Sequence, residues 1–269
     1  MKISVLCDNQ PLSNRFACEH GLSIFVEVNG NRFLFDTGQG DCFLKNALTM
    51  GIDLAGIDYV VLSHGHYDHA GGLKQLMAQF PHIKIVMHPQ ALKQRFSISS
   101  VMTKENGFPH NSFVGQWENQ IIKVDRLHEL LPGVTLFPLP FAAPANPRLV
   151  EPGIQGQLVP DTFMDELFIV LKEGERQVLL SGCTHHGIVQ VLDYCRTQLS
   201  IGHFDLVLGG LHLSGADELA ILQQIELCRA YDVSRWALNH CTGERAFDLW
   251  QAAYQGHVMT ANAGEVISL

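Results

Sequence analysis

The stretch Tyr59-Val60-Val61-Leu62-Ser63-His64-Gly65-His66-Tyr67-Asp68-His69 decides how the rest of the chain is read. Its first half is a short apolar run rich in β-branched residues, the pattern of a buried strand. At the end of such a strand His64 and His66 project their rings to one side, because side chains two apart share a face. Asp68 and His69 fall in the turn just beyond, within reach of a second ion. Neutral imidazole and carboxylate are the ligands that a borderline divalent cation such as zinc prefers. Four side chains of ligand type within six residues, followed by Gly71-Gly72, have little structural purpose otherwise.

Working outward, every other candidate ligand also follows an apolar run. Cys183 and His185 come after a strand ending at Ser181, His212 after Leu206-Val207-Leu208, and His240 after Ala237-Leu238-Asn239. Strand ends on one edge of a sandwich converge, whereas scattered surface histidines obey no such rule. Between them, residues 22–28 and 32–36 form a hairpin around Asn29-Gly30-Asn31, residues 41–50 a helix with Gly51 as its stop, residues 73–80 a helix and residues 83–88 a strand. The second half repeats this outline. Residues 166–172 and 177–181 are strands around Gly174, and Ile188, Val189, Val191, Leu192, Cys195 and Leu199 mark one helix face. A strand at 205–208, an amphipathic helix through Ile221, Leu222, Ile225 and Cys228, a strand at 236–239 and a helix at 244–254 complete it. Two such halves predict an α/β fold, a sandwich of two mixed β-sheets flanked by helices. No linker interrupts residues 1–269, so one domain is expected.

Residues 96–118 and 138–160 lose this rhythm to serine, asparagine, glycine and proline. Loops this long are either lids and binding loops or disorder. Phe108, Phe113, Trp117, Phe137, Phe141 and Phe163 lie in or beside them, placed to wall a pocket or to pin the loops down.

Of 269 residues 46% are hydrophobic and 17% charged, ample for a core, and the net charge is -9 with no basic run. An acidic body argues against nucleic acid as the main partner and for a small-molecule substrate. The apolar stretch at the start is too short for a secretory signal, and nothing later approaches a membrane span. Seven cysteines (Cys7, Cys18, Cys42, Cys183, Cys195, Cys228 and Cys241) without paired spacing suit reduced thiols in a cytoplasm. Nothing in the pattern bears on oligomeric state.

The run from His64 to His69 resembles the His-x-His-x-Asp-His signature of the metallo-β-lactamase superfamily. Leu34-Phe35-Asp36-Thr37-Gly38 resembles its upstream turn and His240-Cys241-Thr242-Gly243 its closing motif. Glu19-His20-Gly21-Leu22-Ser23, Gly182-Cys183-Thr184-His185 and Gly209-Gly210-Leu211-His212-Leu213 are similar to one branch, often labelled metal-dependent hydrolases or dihydropterin-ribofuranosylaminobenzene phosphate synthases. The resemblance implies the αββα sandwich and two divalent metal ions, with zinc favoured and manganese or iron as alternatives. It assigns His64 and His66 to the first ion, and Asp68, His69 and His240 to the second. A hydroxide bridging the ions would be the nucleophile, with Asp68 orienting it or taking its proton.

One position departs from the wider pattern, in which a further His precedes a bridging Asp. None of His82, His88, His110 and His128 sits in a ligand-like context. Gly182-Cys183-Thr184-His185 stands where the bridging acid is expected, which makes His185 the substitute ligand and Cys183 the bridge. The bland readings are a small buried residue for Cys183 and a helix cap for His185. His212, after a glycine pair that permits close approach, is either a substrate-contacting general acid or a hydrogen-bonding support. Asp36 fixes the loop beneath the ligands, Asp161, Asp165 and Glu166 read as a solvated acidic loop, and His20 has no assigned role. The function expected is a dinuclear metal-dependent hydrolase of a small ester or phosphoester. The alternatives are a pterin and ribofuranosylaminobenzene phosphate synthase-like transferase, or a metal- or thiol-responsive binding protein that uses Cys183. His66 in the second position and the lack of a flavin domain disfavour an iron redox role.

Overall fold

The computed structural model describes residues 1–109 and 116–269, so His110 and Phe113 lie outside the described residues. Two seven-stranded sheets face each other. The first runs Val266–Ser268, Lys2–Cys7, Ser23–Val28, Asn31–Phe35, Tyr59–Val61, Lys84–Met87, Ile121–Lys123. Its first three pairings are antiparallel and its last three parallel. The second runs His128–Leu131, Val134–Pro138, Leu167–Glu173, Arg176–Leu180, Leu206–Gly209, Trp236–Leu238, Val258–Thr260 and follows the same rule. The two halves therefore repeat each other, as the alternation of hairpin and strand-helix units predicts.

The layers follow from period-two burial. Along Leu167–Glu173, the side chains of Leu167, Ile169 and Leu171 enter the core shared by the two sheets, while Phe168 and Val170 face outward. That outer face packs on the helices Ile188–Gln198, Glu218–Cys228 and Glu244–Ala253 through Val191, Leu192, Ile221, Ile225 and Trp250. In the first sheet Val61 and Val86 point inward, and Val60, Leu62 and Ile85 pack outward against the helices Cys42–Met50 and Leu73–Gln79 through Phe43, Ala47, Leu73 and Leu76. The helix at Cys42–Met50 ends at Gly51, whose φ of 68° lets its N–H return to the last turn. Leu222, expected on the buried face of its helix, is 42% exposed, because Ile221 and Ile225 already fill that face.

The described residues of 96–118 and 138–160 are more ordered than their composition suggests. They supply all four strands of a four-stranded antiparallel sheet, in the order Leu158–Pro160, Leu149–Pro152, Phe96–Ile98, Thr103–Glu105. Each strand is only three or four residues long and largely exposed or half-exposed, too short for alternation to show. Phe108, Trp117 and Phe137 are buried in the main cores and pin these segments, whereas Phe141 is 44% exposed. Among the described residues, no helix is long and apolar enough to cross a membrane.

Candidate metal centre

The site is built on strand ends, which the topology brings to one edge. Asp36 follows the strand Asn31–Phe35, His64 and His66 follow Tyr59–Val61, Cys183 and His185 follow Arg176–Leu180, His212 follows Leu206–Gly209, and His240 follows Trp236–Leu238. Asp36, Thr184, His212 and His240 all have positive φ without being glycine, as does Phe163 beside them. Such backbone costs energy and persists where a surrounding constellation demands it.

One buried carboxylate sets the proton positions. Asp36 accepts from the Ser63 amide (2.7 Å), from Ser63 Oγ (2.7 Å) and from His69 Nδ1 (2.7 Å). Ser63 Oγ, having donated to Asp36, accepts from His64 Nδ1 at 2.9 Å. His240 Nδ1 faces Asn9 Oδ1 at 3.0 Å. Each of these three rings therefore carries its hydrogen on Nδ1 and presents a lone pair on Nε2. Those lone pairs converge. His69 Nε2 lies 3.2 Å from His240 Nε2 and 3.2 Å from Cys183 Sγ, and His64 Nε2 lies 3.1 Å from His66 Nδ1. Of these contacts, the one between His69 Nε2 and His240 Nε2 sets two lone pairs face to face, which repel unless a proton or a cation sits between them.

Three of the donor groups among the described residues share one residue, and His20, Asp68 and His240 form a further one beside them. His64, Cys183 and His185 form one; His69, Cys183 and His240 a second; Cys183, His212 and Cys241 a third. Cys183 belongs to each of these three. Asp68 joins the second group, with Oδ2 at 3.4 Å from His240 Nε2 and 3.9 Å from His69 Nε2. Among the described residues, His66 Nε2 and His185 Nε2 are buried with no hydrogen-bond partner, which suits rings held for another purpose. Imidazole, carboxylate and thiolate donors in this density fit divalent transition metals. All seven residues expected as ligands (His64, His66, Asp68, His69, Cys183, His185 and His240) thus lie together. His212 is exposed at their rim, its ring centroid 4.2 Å from that of His185.

Burial pushes His66 down to about 3 and holds His64 and His185 well below the usual imidazole range, keeping these rings neutral for ligation. His69 behaves oppositely: burial disfavours its charge, but the carboxylates of Asp36 and Asp68 raise it to about 9. The attraction that favours a proton there favours a metal cation equally. Burial likewise disfavours ionised Asp68, yet His69, His20 and His240 hold it well below the usual carboxylate range. Burial raises the Cys183 thiol, a cost that direct coordination removes.

The acidic stretch is not solvated. Asp161, Asp165 and Glu166 are 2%, 0% and 0% exposed. Arg95, itself buried, donates Nε to Asp161 (2.6 Å) and Nη2 to Asp165 (2.6 Å), and Asp165 accepts from the Gly65 amide between the two motif histidines (2.8 Å). Glu166 accepts from the amides of His185 (2.7 Å) and His186 (3.1 Å) and from His186 Nδ1 (2.8 Å). Phe163, between these acids, stacks on His185 with centroids 3.7 Å apart and meets His66 edge-on at 5.5 Å. Sequence reasoning missed Arg95, Asn9 and Cys241 as parts of the site. Only Cys241 carried a signal, its place in the His240 motif.

The family description "Metallo-beta-lactamase superfamily" matches residues 17–222. An uncharacterized protein of Methanocaldococcus jannaschii is 27% identical, covering 99% of this chain and 100% of its own length. The 7,8-dihydropterin-6-methyl-4-(beta-D-ribofuranosyl)-aminobenzene-5'-phosphate synthase of the same organism is 28% identical over 94% of this chain and 90% of its own. A solved metal-dependent hydrolase of the beta-lactamase superfamily superimposes with a TM-score of 0.83 at 31% identity, covering 100% of this chain and 99% of that one. The chain belongs to the metallo-β-lactamase superfamily.

Proposed function

We propose that the chain is a dinuclear metal-dependent hydrolase of a small ester or phosphoester. The observation that carries this reading is the pair of donor groups meeting at Cys183, one through His64 and His185 and the other through His69 and His240. His66 and Asp68 extend the first and second groups respectively. A pair of divalent ions held there supplies Lewis acidity to the scissile group and makes water acidic enough to lose a proton near neutral pH.

The chain's own residues supply the rest. Asp68, kept ionised by its histidine neighbours, orients the attacking water and takes its proton on the carboxylate oxygen that does not face the histidines. His212, exposed at the rim, donates a proton to the leaving group. Phe163, flat against His185, excludes solvent from the inner wall. The net charge of -9 repels a polyanion, so substrates are small.

Similarity to the synthase over nearly the whole chain supports a second reading, a transferase on related substrates. A panel of bis-p-nitrophenyl phosphate, aryl esters, lactones, a β-lactam and single-stranded RNA separates the possibilities. The expected result is small-molecule hydrolysis that is abolished in His66→Ala together with metal uptake. Efficient RNA cleavage with weak small-molecule turnover contradicts the proposal, as does full hydrolysis by His66→Ala. Inactivity throughout, with metal bound, turns the reading to the synthase or to a metal- or thiol-responsive binding protein.

A further inference from the structure

We propose that His20 is a ligand of the second metal ion, joining Asp68, His69, Cys183 and His240 in a five-donor set that takes a divalent transition metal. The inference rests on the dinuclear reading above and adds a residue outside the motif that suggested it. His20 Nε2 lies 3.1 Å from Asp68 Oδ2, and His20, Asp68 and His240 together form a compact donor group. Donors 2.0–2.1 Å from one ion stand about 2.9 Å apart at right angles and about 3.4 Å apart in a tetrahedron. The contacts His20 to Asp68 (3.1 Å), Asp68 to His240 (3.4 Å) and His240 to His69 (3.2 Å) fall within that interval, as edges of one coordination shell would, and the wider Asp68 to His69 separation (3.9 Å) suits donors on opposing sides of the ion.

The placement of His20 is built in. Asp8 accepts from the His240 amide through Oδ1 (2.8 Å) and from the Glu19 amide through its carbonyl (3.3 Å). Asn9 Oδ1 takes both His240 Nδ1 (3.0 Å) and the Gly21 amide (3.1 Å). These two residues thus clamp His240 and the backbone on both sides of His20 to one another. On the far side the Leu22 amide donates to the Asp68 carbonyl at 3.2 Å. Gly21 has φ of +152°, and a β-carbon there would sit 2.5 Å from the Asp68 carbonyl oxygen and 2.9 Å from Gly38 Cα. Only glycine lets the segment press onto the ligand turn. The His20 side chain is 52% exposed, and an ion pair that open contributes little stability, so stability alone gives no reason for so many restraints.

The test uses the full chain, stripped of metal and titrated with Co2+, with each affinity read by chelator competition and coordination number by the visible d–d absorption. His20→Gln keeps a donor for Asp68 but is a poor metal ligand, and His20→Ala removes both functions. In both variants the second-ion affinity is expected to fall about tenfold or more while the first is unchanged. The second ion's d–d absorption is expected to intensify as five-coordination gives way to four. If His20→Gln binds the second ion as tightly as the parent chain, with the same spectrum, His20 merely hydrogen-bonds Asp68 and the proposal falls. A parent chain that takes up one ion at any ratio overturns the dinuclear reading itself, a result distinct from two ions bound alike in parent and variant.

Discussion

The first donor group is held largely by what packs around it, and the second by what hydrogen-bonds to it. His66 and His185 touch Phe163, their Nε2 atoms have no hydrogen-bond partner among the described residues, and their turns are anchored from outside by Asp165 and Glu166. In the second group, His69 and His240 each give Nδ1–H to a fixed acceptor, Asp36 and Asn9. The difference teaches that the two positions fail differently: a change in the buried Arg95, Asp165 and Glu166 support disturbs the first, and loss of a single acceptor disturbs the second.

The largest expected break in that comparison is Arg95→Ala. It leaves Asp161 and Asp165 buried without their cation, at a cost of about 3–5 kcal/mol, readable by urea unfolding. In the protein that remains folded, the first ion weakens through Gly65 while the second is retained. An unchanged unfolding midpoint would remove this triad from the support of the first group. Next comes Asp36→Asn, which keeps an acceptor for the Ser63 amide but presents an amide to His69 Nδ1. Second-ion affinity should drop about 10–100-fold, measured by chelator competition, and an equal loss of both ions would mean that the Ser63 relay to His64 matters as much. The smallest effect is Asn9→Ala, about tenfold on the second ion alone, since the Asp8 contact to the His240 amide remains. A loss confined to the first ion would reverse the comparison.

Which parts were legible in the sequence follows the same division. The run from His64 to His69, the strand before it and the Cys183 and His240 turns are local patterns, so strand periodicity and spacing expose them. Arg95 is 66 residues from Asp161 and 70 from Asp165, and no local rule links them. The acids therefore looked solvated, although in the fold Arg95 and the Gly65 and His185 amides hold them buried. Strands such as Phe96–Ile98 and Leu158–Pro160 are too short to alternate visibly. His20 could not be assigned because its aim depends on the Asp8-Asn9 clamp, a contact across more than two hundred residues to His240.

The most direct measurement is a metal-loaded crystal structure with anomalous scattering at the metal edge. Two peaks are expected, about 3.5–4 Å apart. The Cys183 sulfur should lie at a bonding distance of about 2.3 Å from the metals it joins. A single peak, or a Cys183 sulfur more than about 4 Å from both ions, would contradict a dinuclear centre that meets at Cys183.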